Sequence, residues 1–245
     1  MLLSSETTWS ATDVPIPMFG EQLHKFAHYF PVYDAVFARY RDRRPVRMLE
    51  IGVDRGGSLL LWRKYFRQDA VIVGIDCLPQ CAQFDDPSNN IFVRIGDQRD
   101  TVFLQTVADE LGPFDIILDD ASHIPAYTLS AFEHMFVNGL ADGGVYLVED
   151  LFTCYIDQQP FAHYSVSDFS PQFVEVVKYL IDLMHAHYTQ MADGTGAQMA
   201  AAFSPDGRGE LRVPLATTLV ESVWVHDSIV AVFSGPRTMP CIVRT

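Results

Sequence analysis

Five short apolar runs, each ending in glycine or a carboxylate, constrain this chain more than any other feature. They are VRMLEIG (46–52), AVIVGID (70–76), IFVRIGD (91–97), FDIILDD (114–120) and GVYLVED (144–150). Runs this short, rich in Val and Ile and without polar alternation, suit strands buried on both faces. Between them, SLLLWRKYF (58–66), TVFLQTVADEL (101–111) and AYTLSAFEHMFVNGL (126–140) place apolar residues three and four apart, the spacing of a helix face. Strand alternating with helix in this way predicts a parallel sheet with helices on both sides and right-handed crossovers.

The flanks extend that expectation. Residues 19–40 read as helical cover interrupted at Pro31. Residues 170–188 read as a long helix, with Ser170 as its N-cap and Pro171 in its first turn. The tail, TTLVESVWVHDSIVAVFSG (217–235), holds two strand-like runs around His226-Asp227, an antiparallel hairpin. The expected fold is therefore α/β, Rossmann-like and doubly wound, with a mostly parallel seven-stranded sheet that the C-terminal hairpin completes. Residues 192–210, rich in Gly, Ala and Asp, read as a surface loop. No linker divides the 245 residues, and 49% hydrophobic with 20% charged residues suits one large domain. Within it, 1–45 are expected as an N-terminal helical lid, 46–150 as a cofactor-binding core, and 151–245 as substrate-side elements with the long helix and the hairpin.

A net charge of −14 argues against nucleic acid or an anionic membrane as partner, because phosphate contacts need clustered Lys and Arg. The basic stretch RYRDRRPVR (39–47) reads as a solvated helix end. No window offers eighteen consecutive apolar residues, and the first fifteen lack the basic and apolar regions of a signal peptide. Cys77, Cys81, Cys154 and Cys241 have neither zinc-ribbon nor disulfide-framework spacing, so a reducing cytoplasm is the expected compartment.

The chemistry gathers where strands end, and in open α/β sheets ligands bind beyond the carboxyl ends of the strands. In EIGVDRGGS (50–58), Gly52, Gly56 and Gly57 make a turn that lets backbone approach a ligand. The turn lacks the three-glycine dinucleotide fingerprint and the Lys-Ser/Thr of a phosphate loop, which lowers any polyphosphate reading. Glu50 adds a carboxylate suited to a cationic or hydroxylated ligand. Asp76 ends the second run, where a carboxylate can accept from a ribose diol, although it could equally be a surface Asp opening a loop. Asp97 and Gln98 could hydrogen-bond an adenine edge. Together these strand ends suggest an adenosine cofactor without polyphosphate, a description that S-adenosylmethionine fits. The fourth run releases LDDASH (118–123). Asp119, Asp120 and Ser122 could simply cap the next helix, yet one cap does not account for four carboxylates and a histidine at neighbouring strand ends.

The segments LEIGVDRGGSLLLW, VGID, RIGDQRD, GPFDIILDDASH and LADGGVYLVEDL resemble the class I S-adenosylmethionine-dependent methyltransferases. Within these they resemble the metal-dependent sugar O-methyltransferases of antibiotic biosynthesis, and FVEVVKYLIDLMHAHY and WVHDSIVAVF resemble that family's closing helix and strands. The resemblance implies Asp120 as a ligand of Mg²⁺ or another divalent cation, and His123 as the general base. Glu149 and Asp150 match the second acidic position, and which of them binds metal is left open. Glu50, Gly52, Ser58, Asp76, Asp97 and Gln98 would contact the cofactor. Asp119 would orient its amine or stand behind the metal ligands. Tyr29, with His24 and Tyr33, would lie in a segment folded over it. A carboxylate set suits Mg²⁺, and a sugar hydroxyl, too weak an acid alone, needs both a cation and a base near neutrality. The implied acceptor is a deoxysugar, as a nucleotide sugar or a glycoside, and the chain is expected to form a homo-oligomer. Catechol-type methylation of a phenolic diol and a non-catalytic cofactor-binding protein are the alternatives.

Overall fold

The computed structural model describes residues 23–41, 45–155, 173–188 and 213–238. All five apolar runs become strands: β1 (Arg47–Ile51), β2 (Val71–Asp76), β3 (Ile91–Ile95), β4 (Phe114–Asp119) and β5 (Leu140–Val148). The tail adds β6 (Val220–His226) and β7 (Ile229–Ser234). The helices are α1 (Tyr29–Phe37), α2 (Gly57–Tyr65), α3 (Thr101–Leu111), α4 (Pro125–Asn138), α5 (Phe173–Met184) and the short α6 (Leu215–Leu219).

The seven strands form one sheet in the order β3-β2-β1-β4-β5-β7-β6. Neighbours among the first five strands pair parallel, whereas β7 pairs antiparallel with both β5 and β6. Strand order reverses between β1 and β4, so the crossovers leave in opposite directions there and a crevice opens above the strand ends. This is the mostly parallel, doubly wound sheet with a C-terminal hairpin that the sequence predicts.

Alternation along the strands feeds two cores. Met48, Ile116, Leu118, Val145 and Leu147 pack toward α1 and α2, where Trp62 meets Tyr33 and Phe37 edge-on at 5.1 and 5.6 Å. Leu49, Ile51, Ile117, Tyr146 and Val148 pack toward α3, α4 and α5. The same period of two sends Glu50 to the first face and Asp119 to the second. Local signals explain the helix starts. Asp100 caps α3 by accepting from Val102 N at 3.0 Å and Phe103 N at 3.1 Å. Pro125 opens α4, whose N-cap residue Ile124 makes no side-chain cap, so neither Asp119 nor Asp120 is spent on capping.

Some boundaries differ from expectation. Residues 23–26 have no regular structure where a helix was expected, and Pro31 lies in the first turn of α1, where its missing N–H would have no helical partner. The strand β5 begins at Leu140 rather than 144, its register with β4 shifting between Phe114 and Ile116. Residues 217–219, expected within the hairpin, belong instead to α6. Ser170, Pro171, Cys241 and the 192–210 loop lie outside the described residues. Among the described residues, no helix is long and apolar enough to cross a membrane.

Candidate active site

A cleft of about 820 Å³ lies over the carboxyl ends of β1, β2, β3, β4 and β5. Its floor begins at the turn after β1. Gly52 has φ +105°, and a Cβ there would stand 2.2 Å from the carbonyl oxygen of Asp120, so only glycine lets the ends of β1 and β4 meet this closely. Asp76 fixes the turn from the neighbouring strand. Its Oδ2 accepts from Val53 N at 2.9 Å and Asp54 N at 3.1 Å, and its Oδ1 accepts from Leu78 N at 2.9 Å. A carboxylate offers about four acceptor positions, so little of Asp76 is left for a ligand's hydroxyls. Beyond β3, Asp97 grips the Arg99 guanidinium, which lies 4.5 Å over the Tyr127 ring. Gln98 is buried, accepts from Ser122 N at 3.3 Å, and leaves its Nε2 without a protein partner at the cleft wall.

At the other end of the cleft stands a carboxylate cluster. Asp120 Oδ1 and Asp150 Oδ2 lie 3.9 and 3.3 Å from His123 Nε2. One ligand atom from each of these three residues falls within 4.8 Å of the others, and all three are partly open to solvent. Two of them hold unusual backbone: φ is +54° at His123 and +58° at Asp150. Left-handed backbone at non-glycine residues is uncommon and gathers at functional sites. Thr153 ties the two loops together, its hydroxyl donating to Asp150 O at 2.8 Å and to His123 O at 3.4 Å. Tyr29 donates to Asp150 Oδ1 at 2.7 Å and so orients the carboxylate toward His123.

Behind this open group the cluster is closed by Lys25. Its ammonium contacts Asp120 Oδ2, lies 3.0 Å from Glu149 Oε2 and 3.5 Å from Glu50 Oε1, and its side chain is 3% exposed. Tyr33 donates to the other Glu149 oxygen at 2.6 Å, and Ser58 to the other Glu50 oxygen at 2.7 Å. Burial alone would lower the Lys25 pKa, but Asp120, Glu149 and Glu50 together raise it and keep it charged. Burial raises both Glu149 and Glu50, with Lys25 drawing each back. Asp119 stands apart on the opposite face of the sheet. There it accepts from Tyr146 at 3.1 Å, and burial pushes its carboxyl up to about 7.

Of the residues singled out in the sequence, Tyr29, Gly52, Ser58, Asp76, Asp97, Gln98, Asp120, His123, Glu149 and Asp150 line the cleft. Glu50 and Asp119 are buried and do not line it, Glu50 lying beneath the cleft with Lys25 and Ser58 and Asp119 across the sheet with Tyr146. Lys25, Tyr127 and Thr153 carry contacts that sequence reasoning missed. Nothing in the spacing of a lone lysine near the N-terminus marks it as the partner of carboxylates on β1, β4 and β5.

No family model matches the chain. It is 41% identical over 136 residues to the 8-demethyl-8-(2-methoxy-alpha-L-rhamnosyl)-tetracenomycin-C 3'-O-methyltransferase of Streptomyces olivaceus, covering 52% of this chain and 33% of that protein. It is 39% identical over 151 residues to the mycinamicin VI 2''-O-methyltransferase of Micromonospora griseorubida, covering 57% of this chain and 34% of that protein. The chain thus spans about a third of these relatives' length. Among solved structures it is similar to MycE, a methyltransferase of the mycinamycin pathway, in complex with Mg and SAH. The TM-score there is 0.68 at 29% identity, over 93% of this chain and 52% of that one. MycE has also been solved with mycinamycin VI bound, where the TM-score is 0.66 at 27% identity. The chain has the class I methyltransferase fold and is similar, in sequence and in structure, to the sugar O-methyltransferases of antibiotic biosynthesis.

Proposed function

We propose that this chain transfers a methyl group from S-adenosylmethionine to a hydroxyl of a sugar, free as a nucleotide sugar or carried on a natural product, with help from a divalent cation. The observation that carries the reading is the Asp120–His123–Asp150 group, standing at the mouth of a cleft whose far wall presents Gly52, Asp76 and Gln98. The relatives' names support the sugar, and the MycE complexes support Mg and the cofactor pair.

The residues fit both absent groups. Carboxylate oxygens suit a hard dication that keeps several waters, and the Lys25 ammonium already stands among them as a cation. Asp120 and Asp150 would hold the ion on the open side of the cluster, with Glu149 behind them. When bound, it supplies Lewis acidity to the acceptor hydroxyl. The orphaned Gln98 Nε2 fits an adenine acceptor, and the bare backbone at Gly52 fits close passage of the cofactor's aliphatic arm. The free acceptor position on Asp76 leaves room for one ribose hydroxyl.

His123 takes the acceptor's proton at Nε2, the ring nitrogen that faces Asp120 and Asp150 and therefore the cation site. The acceptor oxygen then displaces the sulfonium sulfur in line, so that a C–O bond forms as a C–S bond breaks. Lining up the two reactants supplies most of the remaining acceleration. Replacing His123 with alanine tests the assignment. The variant should keep its melting temperature and its affinity for S-adenosylhomocysteine yet lose about 10²–10⁴ in kcat. Near-parental kcat with a lower melting temperature would return His123 to a structural role.

A further inference from the structure

Lys25 is a cation that the proposed reaction does not use. It is buried against three carboxylates, one of which, Asp120, also faces His123. Both oxygens of Glu149 are engaged in this arrangement, one by Lys25 and one by Tyr33. A metal ion that reaches Glu149 must therefore share its oxygens with Lys25 or displace the ammonium, whose charge it faces at contact distance.

Lys25 also belongs to a segment whose other ties are Leu23 against the core, His28 at 3.3 Å from Asp227 O, and Phe26. Residues 23–26 have no regular structure, and together with Tyr29 they wall the cleft. Phe26 is half exposed and packs edge-on against Phe152 at 5.6 Å, in the turn that follows Asp150. The buried ion pairs of Lys25 are thus the tie between this strap and the carboxylates at the ends of β1, β4 and β5. An ion pair in such a site is strong only while its partners stay put, and a dication outcompetes an ammonium for the same oxygens.

We propose that Lys25 is a tethered stand-in for the metal: it holds the 23–28 strap closed over the cleft, and binding of the divalent cation displaces it and loosens the strap. This rests on the metal reading above and adds to it a competition between one residue of the chain and the ion. The cation would thereby open a side of the cleft through which an acceptor can enter, coupling metal loading to access.

The test is Mg²⁺ titration calorimetry on the parent chain, Lys25→Met and Asp120→Asn, with hydrogen exchange on the parent with and without Mg²⁺. Lys25→Met should bind Mg²⁺ about tenfold or more tightly than the parent, because a competing charge at contact distance is gone. Asp120→Asn should lose measurable binding. On the parent, peptides covering 23–28 should exchange faster once Mg²⁺ is added, while strand peptides stay unchanged. Equal or weaker binding by a folded Lys25→Met, or slower exchange of the strap with Mg²⁺, overturns the proposal while leaving the metal site standing. Undiminished binding by Asp120→Asn, or no binding by either the parent or Lys25→Met, overturns the metal reading and the proposal together. Should Lys25→Met fail to fold, the exchange on the parent alone decides.

Discussion

Asp119 and Asp120 are neighbours in sequence that the pleat sends to opposite faces of the sheet, and their chemistry diverges accordingly. Asp120 meets Lys25 and faces His123 at the cleft, whereas Asp119 is buried beneath it with Tyr146. The two can be told apart by stability alone. A carboxyl raised from the ordinary carboxylate range to about 7 by burial binds its proton more tightly folded than unfolded. The stability it contributes is therefore full at low pH and is lost as pH climbs from about 4 through 7. Replacing Asp119 with asparagine should remove that slope, a difference on the order of 4 kcal/mol for an isolated group. Denaturant melts of parent and variant at pH 4.5 and pH 8 measure it. Equal pH dependence in the two would mean that Asp119 is solvated. The pairing of Asp119 with Tyr146 was hidden in the sequence because it runs between strands, and so was that of Lys25 with Glu149. The closeness of Asp120 and His123 was legible because an acidic residue three positions before a histidine at a strand end is a compact signal.

Among the elements, the turn after β1 governs the cleft. The sequence showed its glycines, but not that Asp76 would be spent holding the turn through Val53 and Asp54. A carboxylate at the end of β2 looks the same in sequence whether it grips a ribose or a backbone. Gly52→Ala should therefore be the most damaging single methyl in the region, since it adds strain at φ +105° and a collision with Asp120 O. We expect a loss of about 1–3 kcal/mol in stability and at least tenfold weaker binding of S-adenosylhomocysteine by calorimetry. Parental affinity in the variant would show that the turn has room to shift and that the cofactor does not pass there. Helix α1 teaches a related lesson, because Pro31 reads as a break only if the helix is assumed to start earlier. The basic stretch beside it is not simply a solvated end. Arg39 lies 4.8 Å over the Phe233 ring and Arg41 lies 4.9 Å over Tyr65, so these residues fasten α1 to the hairpin and to α2.

For the whole molecule, the order of elements was legible from the chain because five apolar strands, of which only the edge strand β3 is open on one face, and the helices between them leave few alternative foldings. The insertion of β7 between β5 and β6 was not drawn from it, although the uniformly buried IVAVFS suits an inner strand and VESVWVH, with Glu221, Ser222 and His226, suits an edge. That insertion sets β7 against β5, and the turn at Ser228 then meets the loop of Asp150: Ser228 O accepts from Leu151 N at 3.0 Å, and its hydroxyl accepts from Phe152 N at 2.9 Å. Fold and site thus depend on each other, with four carboxylates, a histidine and a lysine gathered over one edge of the crevice. The most direct test of what that gathering does is a methyl-transfer assay with labelled S-adenosylmethionine. Nucleotide sugars, glycosylated natural products and catechols would be offered in turn, first after exhaustive EDTA treatment and then with Mg²⁺ restored. The account predicts label on a sugar oxygen of at least one acceptor, lost with EDTA and regained with Mg²⁺. Label transferred only to catechols, or transfer undiminished by EDTA, would contradict it.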